Sequence, residues 1–229
     1  MSLGLLQRCF VFDKVANKST KISVEPNKHP VLKELSEIKD FDDRIKFAKK
    51  RWKLLGTGSS RTAFRINKKL IIKIAHNEKG VSQCLNEAQP KAQMSCTLPV
   101  VMADAKGKWL IMKATEPLTK EQFKKMVGFG FDQFMNALFA KFNNEDSENF
   151  PEPRDYKEIE KSKLFIEVSE LVFSTDSLLG DLSKISSWRT LNGRPVISDF
   201  GLTKSTYSKY YSSDSSSSSS SKSVKTTEK

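Results

Sequence analysis

Apolar residues recur at intervals of three and four along much of the chain, which is the spacing of one face of an α-helix. The first such stretch begins at Val31, and Asp40 or Asp42 is placed to cap the helix that follows it. The pattern turns polar at Pro90, which ends a helix because proline has no N–H to donate. The predicted helical regions are 31–38, a second helix ending near Trp52, 79–89, 119–142 with a break at Gly128 and Gly130, and 156–174.

Short runs of aliphatic and β-branched residues between these regions predict strands. Residues 53–75 are typical of a β-hairpin that follows a Gly-rich turn, with Asn67–Lys69 as the turn of the hairpin itself. Further strands are predicted at 98–103 and 109–114, and residues 178–203 have loop and strand character. Helices and antiparallel strands in this order indicate an α+β fold.

The composition argues against several classes of protein. No run of 18 apolar residues predicts a membrane helix, and the first ten residues lack the pattern of a secretory signal. Three cysteines without CxxC spacing do not indicate a disulfide framework or a zinc site, and two histidines leave little for a His-based metal site. We therefore expect a cytoplasmic protein that does not bind membranes.

The net charge of +12 favours polyanionic partners such as nucleic acid, nucleotides or ribosomes. The basic residues are scattered, with small clusters at 49–53 and 120–125, and no aromatic residues alternate with them as in single-strand binders. Nucleic-acid binding stays open but is not the favoured role.

A glycine-rich segment, Gly56–Arg61, precedes the second half of the predicted hairpin. Two glycines flanking one residue let backbone N–H groups approach phosphate oxygens without a Cβ in the way. An ordinary tight turn is the alternative for such a motif on its own. The candidate phosphate-binding residues are Gly56, Gly58, Ser59, Ser60 and Arg61.

Lys73 lies within the apolar run Leu70–Ala75. A lysine on a buried strand is costly unless an anion meets it, and Glu87 on the next predicted helix is a candidate partner. The alternatives are an exposed lysine on an edge strand and a solvated glutamate.

Two aspartates near the end of the folded part carry further candidate chemistry. Asp199 follows an apolar strand, a position from which a carboxylate can hold Mg²⁺ against phosphates. Asp181 could orient an attacking hydroxyl or accept its proton. Either aspartate alone is more typical of a turn or a helix cap.

Taken in order, these segments resemble the protein-kinase family in its broad sense, which includes small-molecule phosphotransferases. The matching segments are Leu55–Gly58 for the Gly-rich loop, Lys73 for the strand lysine, Glu87 for its helix partner, Asp181 for the catalytic-loop aspartate and Asp199–Gly201 for the metal-binding DFG. The resemblance spans residues 52–203. It implies a two-lobe fold with an antiparallel N-lobe sheet and a truncated helical C-lobe, with ATP and Mg²⁺ as cofactors.

The resemblance also implies roles for residues that carry no signal of their own. Residues 109–114 are similar to the strand before the hinge, so backbone groups of Lys113 and Ala114 would hold adenine. Ser186 stands where the family has a metal-binding Asn, or Ser187 does if the loop is shifted, so that Asp199 and Ser186 would hold Mg²⁺. The implied units are an N-terminal extension (1–50, partly helical), an N-lobe (51–118), a reduced C-lobe (119–211) and a disordered Ser-rich tail (212–229).

The chain departs from the family pattern at several positions. Arg61 replaces the third loop glycine, and the lysine expected two residues after Asp181 is Ser183, with Lys184 one position later. Only 28 residues follow Gly201, which predicts a C-lobe without the usual platform for peptide substrates. The truncation is also similar to small kinase-like proteins encoded by bacteriophages, which would act in the host cytoplasm.

Two functional hypotheses follow from the resemblance. One is an ATP-dependent phosphotransferase acting on an unknown protein or small-molecule hydroxyl, for which Ser212–Ser221 of the tail is one conceivable acceptor. The other is a catalytically inactive pseudokinase that serves as an interaction module.

Overall fold

The computed structural model describes residues 29–142 and 153–211. The predictions for residues 1–28, for residues 143–152 of the polar loop predicted over 143–155, and for the Ser-rich tail lie outside the described residues. The described part has a mixed α+β fold with an antiparallel sheet, as predicted. Within it, no helix has the length and apolar character needed to cross a membrane.

A five-stranded antiparallel sheet in the order β1-β2-β3-β5-β4 forms the first half of the fold. Its strands are β1 (Lys53–Thr57), β2 (Arg61–Arg65), β3 (Leu70–Ala75), β4 (Val100–Ala103) and β5 (Trp109–Lys113). The hairpin predicted over 53–75 contains three strands, because residues 53–57 form the edge strand β1. Of the glycine-rich segment Gly56–Arg61, only residues 58–60 form the turn. A smaller sheet contains β6 (Glu116–Pro117), β7 (Trp188–Leu191) and β8 (Arg194–Ile197).

Several helices begin where the sequence supplies a side-chain cap. Asp40, Asn77, Thr119 and Ser162 each accept a hydrogen bond from a backbone N–H of the first turn. The helices are α1 (Pro30–Glu37), α2 (Phe41–Lys49), α3 (Glu78–Ala88), α4 (Lys120–Val127), α5 (Phe131–Phe142), α6 (Tyr156–Glu160), α7 (Lys163–Thr175), α8 (Leu179–Leu182) and α9 (Lys204–Tyr210).

Two of the helix predictions have different outcomes. Gly128 adopts a left-handed conformation with φ of 90° and ends α4, so the predicted break in 119–142 is confirmed. The single helix predicted over 156–174 is wrong, because Ser162 caps a new helix by accepting from the N–H of Phe165.

The two faces of the large sheet bury different elements. Phe64, Ile72 and Ile111 are direct cross-strand neighbours and therefore share one face, which packs against α1 and α2. The buried guanidinium of Arg44 in α2 donates to the carbonyl of Ala75 and fastens this pair of helices to β3.

The opposite face carries Ala63, Lys73 and Leu110, which are also cross-strand neighbours. Its buried apolar residues belong to a core shared with the helices that follow the sheet. In that core the rings of Phe123, Phe131 and Phe134 meet Trp188 edge-on, with ring centroids 5.6 to 6.1 Å away. The prediction that the Phe-rich region 119–142 builds the core is therefore confirmed.

Candidate functional site

A buried ion pair joins β3 to α3. The ammonium of Lys73 donates to both carboxylate oxygens of Glu87, at 3.3 Å and 3.1 Å. Lys73 projects from the sheet face that turns towards α3, and the Glu87 side chain is completely buried. The pair predicted from the apolar run around Lys73 is therefore present, and each charge supplies the partner that burial of the other requires.

The segment Ser198–Gly201 is held against the same two residues. Lys73 donates to the carbonyl oxygen of Ser198, and Oε1 of Glu87 accepts from the N–H groups of Phe200 and Gly201, at 3.2 Å and 3.1 Å. A side chain at position 201 would collide with the backbone carbonyl of Gln83, so α3 approaches as closely as it does because Gly201 has no Cβ. These contacts place Asp199 beside Lys73, with 3.6 Å between Nζ and Oδ1.

Arg61 completes a cluster of two cations and two carboxylates. Its Nη2 donates to Oε1 of Glu87 at 2.9 Å and also to Oδ1 of Asp199. Because Ala63 lies opposite Lys73 and Arg61 is two residues before Ala63, the side chains of Arg61 and Lys73 share one face of the sheet. The second guanidinium nitrogen, Nη1, is buried and has no hydrogen-bond partner within residues 29–142 and 153–211.

The cluster shifts the pKa of its own members and of a nearby thiol. Partial burial would raise the pKa of the Asp199 carboxyl, but the positive charges of Lys73 and Arg61 outweigh that effect and hold it well below its usual range. Burial raises the pKa of the Cys84 thiol to about 11, even though the charge of Arg61 opposes the rise. Asp199 is therefore ionised at neutral pH, and Cys84 is a protonated, apolar-like neighbour of the cluster.

The Gly-rich turn lies above the cluster and packs against the start of α3. The hydroxyl of Ser60 is buried and donates to Oε1 of Gln83, so it is committed to the protein rather than to a ligand. Ser59 is exposed, and its carbonyl accepts from Asn77. A Cβ on Gly56 would meet no atom within 4 Å, so the fold itself does not require glycine there.

Asp181 lies on α8 in a second group of polar residues. Its Oδ1 accepts a 2.6 Å hydrogen bond from the ammonium of Lys184, and its backbone carbonyl accepts from the hydroxyl of Ser187. Ser187 in turn accepts at its own carbonyl from the N–H and the hydroxyl of Ser198. The buried Ser187 thus links the segment of Asp181 to the segment of Asp199.

The structure separates Ser186 from this arrangement. Residues Ile185–Ser187 form a single 3-10 turn, which points Ser187 inward and leaves Ser186 exposed, with its carbonyl accepting from Arg189. The proposed metal ligand Ser186 is therefore on the wrong side of the turn, and the shifted alternative, Ser187, is the residue that reaches Asp181.

Lys113 and Ala114, which resemble the residues before the family's hinge, do not both leave their backbone groups free as expected. The N–H of Ala114 donates to the carbonyl of Lys69 at 2.7 Å, which extends the pairing of β3 with β5. The Lys113 side chain is exposed at the end of β5. The N–H of Ala114 is thus not free to hold a base in this conformation.

The residues present do not fit the Mg²⁺ site that the resemblance implies. Such a site would need Asp199 and a second oxygen ligand, but Arg61 already contacts Oδ1 of Asp199, and Ser186 is exposed. The hydroxyl of Ser187 is spent on the Asp181 carbonyl. Across the described ranges, no group of three or more His, Cys, Asp or Glu side chains is arranged to hold a metal ion.

Two features of the site were missed by the sequence interpretation. The pairing of Lys184 with Asp181 had a signal, because Lys184 is one residue away from the position where the family has its lysine. The contact of Arg61 with Asp199 had none, because the two residues are 138 positions apart.

Comparison of the chain with protein-family models, curated proteins and solved structures finds no match.

Proposed function

We propose that this chain is a reduced protein-kinase-like, two-lobe protein that binds ATP and transfers the γ-phosphate to a hydroxyl group. The observation that carries the proposal is the buried pair of Lys73 and Glu87, with Asp199 beside it. In the family that the motifs resemble, this constellation positions nucleotide phosphates. Lys73 lies on the central strand β3 with 9% of its surface exposed, and it presents its positive charge on the same sheet face as Gly56.

The sheet supports the same proposal through its order and its faces. In the strand order β1-β2-β3-β5-β4, Gly56 pairs with Ala63 and Ala63 pairs with Lys73, so Gly56 and Lys73 lie in one row on the sheet face that turns towards α3. Gly56 has open space around its Cα, which is the room that a phosphate needs to approach the backbone.

In the proposed reaction, Asp181 is the proton acceptor. The acceptor oxygen forms a bond to the γ-phosphorus while the bond from that phosphorus to the bridging oxygen breaks, and the electron pair leaves with ADP. The proton of the attacking hydroxyl passes to the Asp181 carboxylate. Lys184, at 2.6 Å from that carboxylate, fixes its orientation, and Lys73 holds the phosphates.

A pseudokinase is the second candidate, and one observation favours it. Arg61 fills the position next to Asp199 that the family leaves for metal and phosphate. A site closed in this way could bind nucleotide and change conformation without turning it over.

Thermal unfolding with and without ATP tests the nucleotide site. A ligand at a hundred times its dissociation constant adds about 2.7 kcal/mol of stability, which gives a clear shift in Tm. We expect the shift in the wild type and in Lys68→Ala, whose lysine is in the exposed turn between β2 and β3, and we expect Lys73→Ala to lose it. The proposal would be contradicted if the Tm of the wild type did not change with ATP or GTP in the presence of Mg²⁺, Mn²⁺ or EDTA.

Phosphate transfer then separates the two candidates. Incubation with ATP, followed by intact-mass analysis and measurement of ADP, should show turnover in the wild type and none in Asp181→Asn. Equal ATP binding by both proteins with no ADP from either would instead identify the pseudokinase.

A further inference from the structure

Arg61 occupies the place at Asp199 where the resemblance predicts a metal ion. One guanidinium nitrogen bridges Asp199 and Glu87, and the side chain is almost fully buried, with 8% of its surface exposed. The position is set by the sheet, because Arg61 begins β2 and pairs with Ala75 at the end of β3. The contact of Arg61 with Asp199 therefore comes from strand β2, which also contains Ala63, the cross-strand neighbour of Lys73. It does not come from a surface loop.

The charges of the cluster explain what Arg61 adds. Lys73 alone would face the two carboxylates of Glu87 and Asp199, which leaves an excess of negative charge where phosphates must approach. A divalent ion is the usual means of cancelling such an excess. Arg61 cancels it with a cation that belongs to the chain.

A guanidinium can also replace the bridging geometry of a metal. It carries five N–H donors in a rigid fork, so one end can hold carboxylates while the other donates to phosphate oxygens. In Arg61 the first end is occupied, and Nη1 at the other end is buried without a partner in the part of the chain that the structure describes. An unpaired buried donor is unfavourable, and a phosphate oxygen is the kind of acceptor that it lacks. Because Nη1 is buried in the nucleotide-free chain, a contact with phosphate requires the atoms that cover it to move.

We infer that Arg61 acts as a resident cation in place of a divalent metal at Asp199, and that the site formed by Arg61, Lys73 and Asp199 binds the triphosphate of a nucleotide without a divalent ion. The inference rests on the proposed nucleotide site and identifies the form of its ligand, which is free ATP rather than its magnesium complex. Ser186 stands where the family has its metal-binding Asn, and its side chain is exposed. The inference explains this, because a chain that holds no metal does not need that ligand.

Isothermal titration of the full chain with ATP, once with excess EDTA and once with Mg²⁺, tests the inference. For the wild type we expect dissociation constants that agree within about threefold under the two conditions. Tight binding in Mg²⁺ that weakens tenfold or more in EDTA would overturn the inference and leave the nucleotide site standing. No binding under either condition would overturn the nucleotide site as well.

Two variants sharpen the test. Arg61→Gly restores the glycine of the family pattern, and we expect it to lose at least tenfold in affinity in EDTA and to regain binding when Mg²⁺ is added. The control is Arg154→Gly, which removes the same charge from an exposed position and should bind like the wild type. Unchanged binding of Arg61→Gly in EDTA would overturn the inference.

Asp199→Asn distinguishes a metal at Asp199 from the Arg61 cation, and this test does not depend on the folding of the Arg61 variant. If Asp199 held a metal, the amide of the variant would be a poorer ligand, and ATP binding in Mg²⁺ would weaken. If Arg61 is the cation, removal of the carboxylate frees its guanidinium, so binding in EDTA should be equal to or tighter than that of the wild type. A loss of binding in EDTA by this variant, with its fold intact by circular dichroism, would contradict the inference.

Discussion

The ammonium of Lys184 lies 2.6 Å from Oδ1 of Asp181, one residue beyond the position that holds a lysine in the catalytic loops that this segment resembles. The short helix α8 ends at Leu182, and the chain then turns so that a residue three positions after Asp181 faces its carboxylate. The pair is partly exposed, with 62% of the Lys184 side chain accessible. Its contribution to stability is therefore small, and its value lies in holding Asp181 in one orientation.

Lys184→Ala should separate these two effects. We expect a change in unfolding free energy of less than about 1 kcal/mol, because exposed ion pairs contribute little. If Asp181 is the proton acceptor, kcat for ADP formation should fall about 10- to 100-fold with little change in KM, because a misplaced catalytic group costs rate more than binding. Lys204→Ala, which breaks the similarly exposed pair with Asp176, is the control and should leave kcat unchanged. A normal kcat for Lys184→Ala would exclude the positioning role.

Glycines at two positions near the turn should respond differently to alanine. A Cβ on Gly80 would collide with the backbone carbonyl of Ser60, so Gly80→Ala should lose about 1–3 kcal/mol in urea denaturation. Gly56→Ala has room for its methyl group and should unfold within about 1 kcal/mol of the wild type. Its ATP affinity should nevertheless fall, since the added Cβ faces the space proposed for phosphate. Wild-type affinity in Gly56→Ala would show that the nucleotide does not pass near this glycine.

Glu87 should be the most costly side chain of the cluster to remove. It is fully buried and accepts hydrogen bonds from Lys73, Arg61 and two backbone groups. Removing one partner of a buried pair typically costs about 3–5 kcal/mol, because the remaining charge stays buried without compensation. Glu87→Ala measured by urea denaturation should fall in this range. Asp132→Ala, which breaks an exposed pair with Lys120, should lose less than about 1 kcal/mol and serves as the control.

Much of the fold could be predicted because its signals are local. The caps Asp40 and Gly128 and the apolar run around Lys73 each act within a few residues of the element that they define. The break at Ser162 was missed because the apolar spacing of α6 and α7 continues across it, and one hydroxyl decides the outcome. Patterns of spacing do not detect a single hydrogen bond of this kind.

The site was harder to predict because its decisive contacts are distant in sequence. Lys73 carried its own signal, since a cation among apolar residues demands an anion. The choice of Ser187 over Ser186 depends on the rotation of one 3-10 turn, and the contact of Arg61 with Asp199 depends on how two halves of the chain meet. A resemblance of motifs supplies the order of the segments but not these contacts.

The helices before the sheet should prove to be part of the same cooperative unit. Leu35 of α1 is completely buried in the core that α1 and α2 share with the sheet face of Phe64 and Ile72. Leu35→Ala should lose about 2–5 kcal/mol in a single unfolding transition. Leu85→Ala, at a leucine 40% exposed on α3, should stay within about 0.5 kcal/mol of the wild type. A separate early transition in Leu35→Ala would mean that α1 and α2 unfold independently of the sheet.

The depressed pKa of Asp199 should appear as a pH dependence of stability. A carboxyl whose pKa is lower in the folded state than its ordinary value of about 4 stabilises the fold at higher pH, and this contribution disappears as the pH falls through the folded value. The difference in unfolding free energy between the wild type and Asp199→Asn should therefore be constant from about pH 5 to pH 8 and shrink below about pH 4.

The exposed Asp132→Asn is the matched control for this titration, since its carboxyl sits in a solvent-accessible pair with Lys120. Its difference from the wild type should be small at every pH. Because the Asp199 side chain is about half exposed, with 52% of its surface accessible, salt should reduce the effect without removing it. A difference between wild type and Asp199→Asn that does not change between pH 7 and pH 3 would mean that Lys73 and Arg61 do not hold this carboxylate in its ionised form in solution.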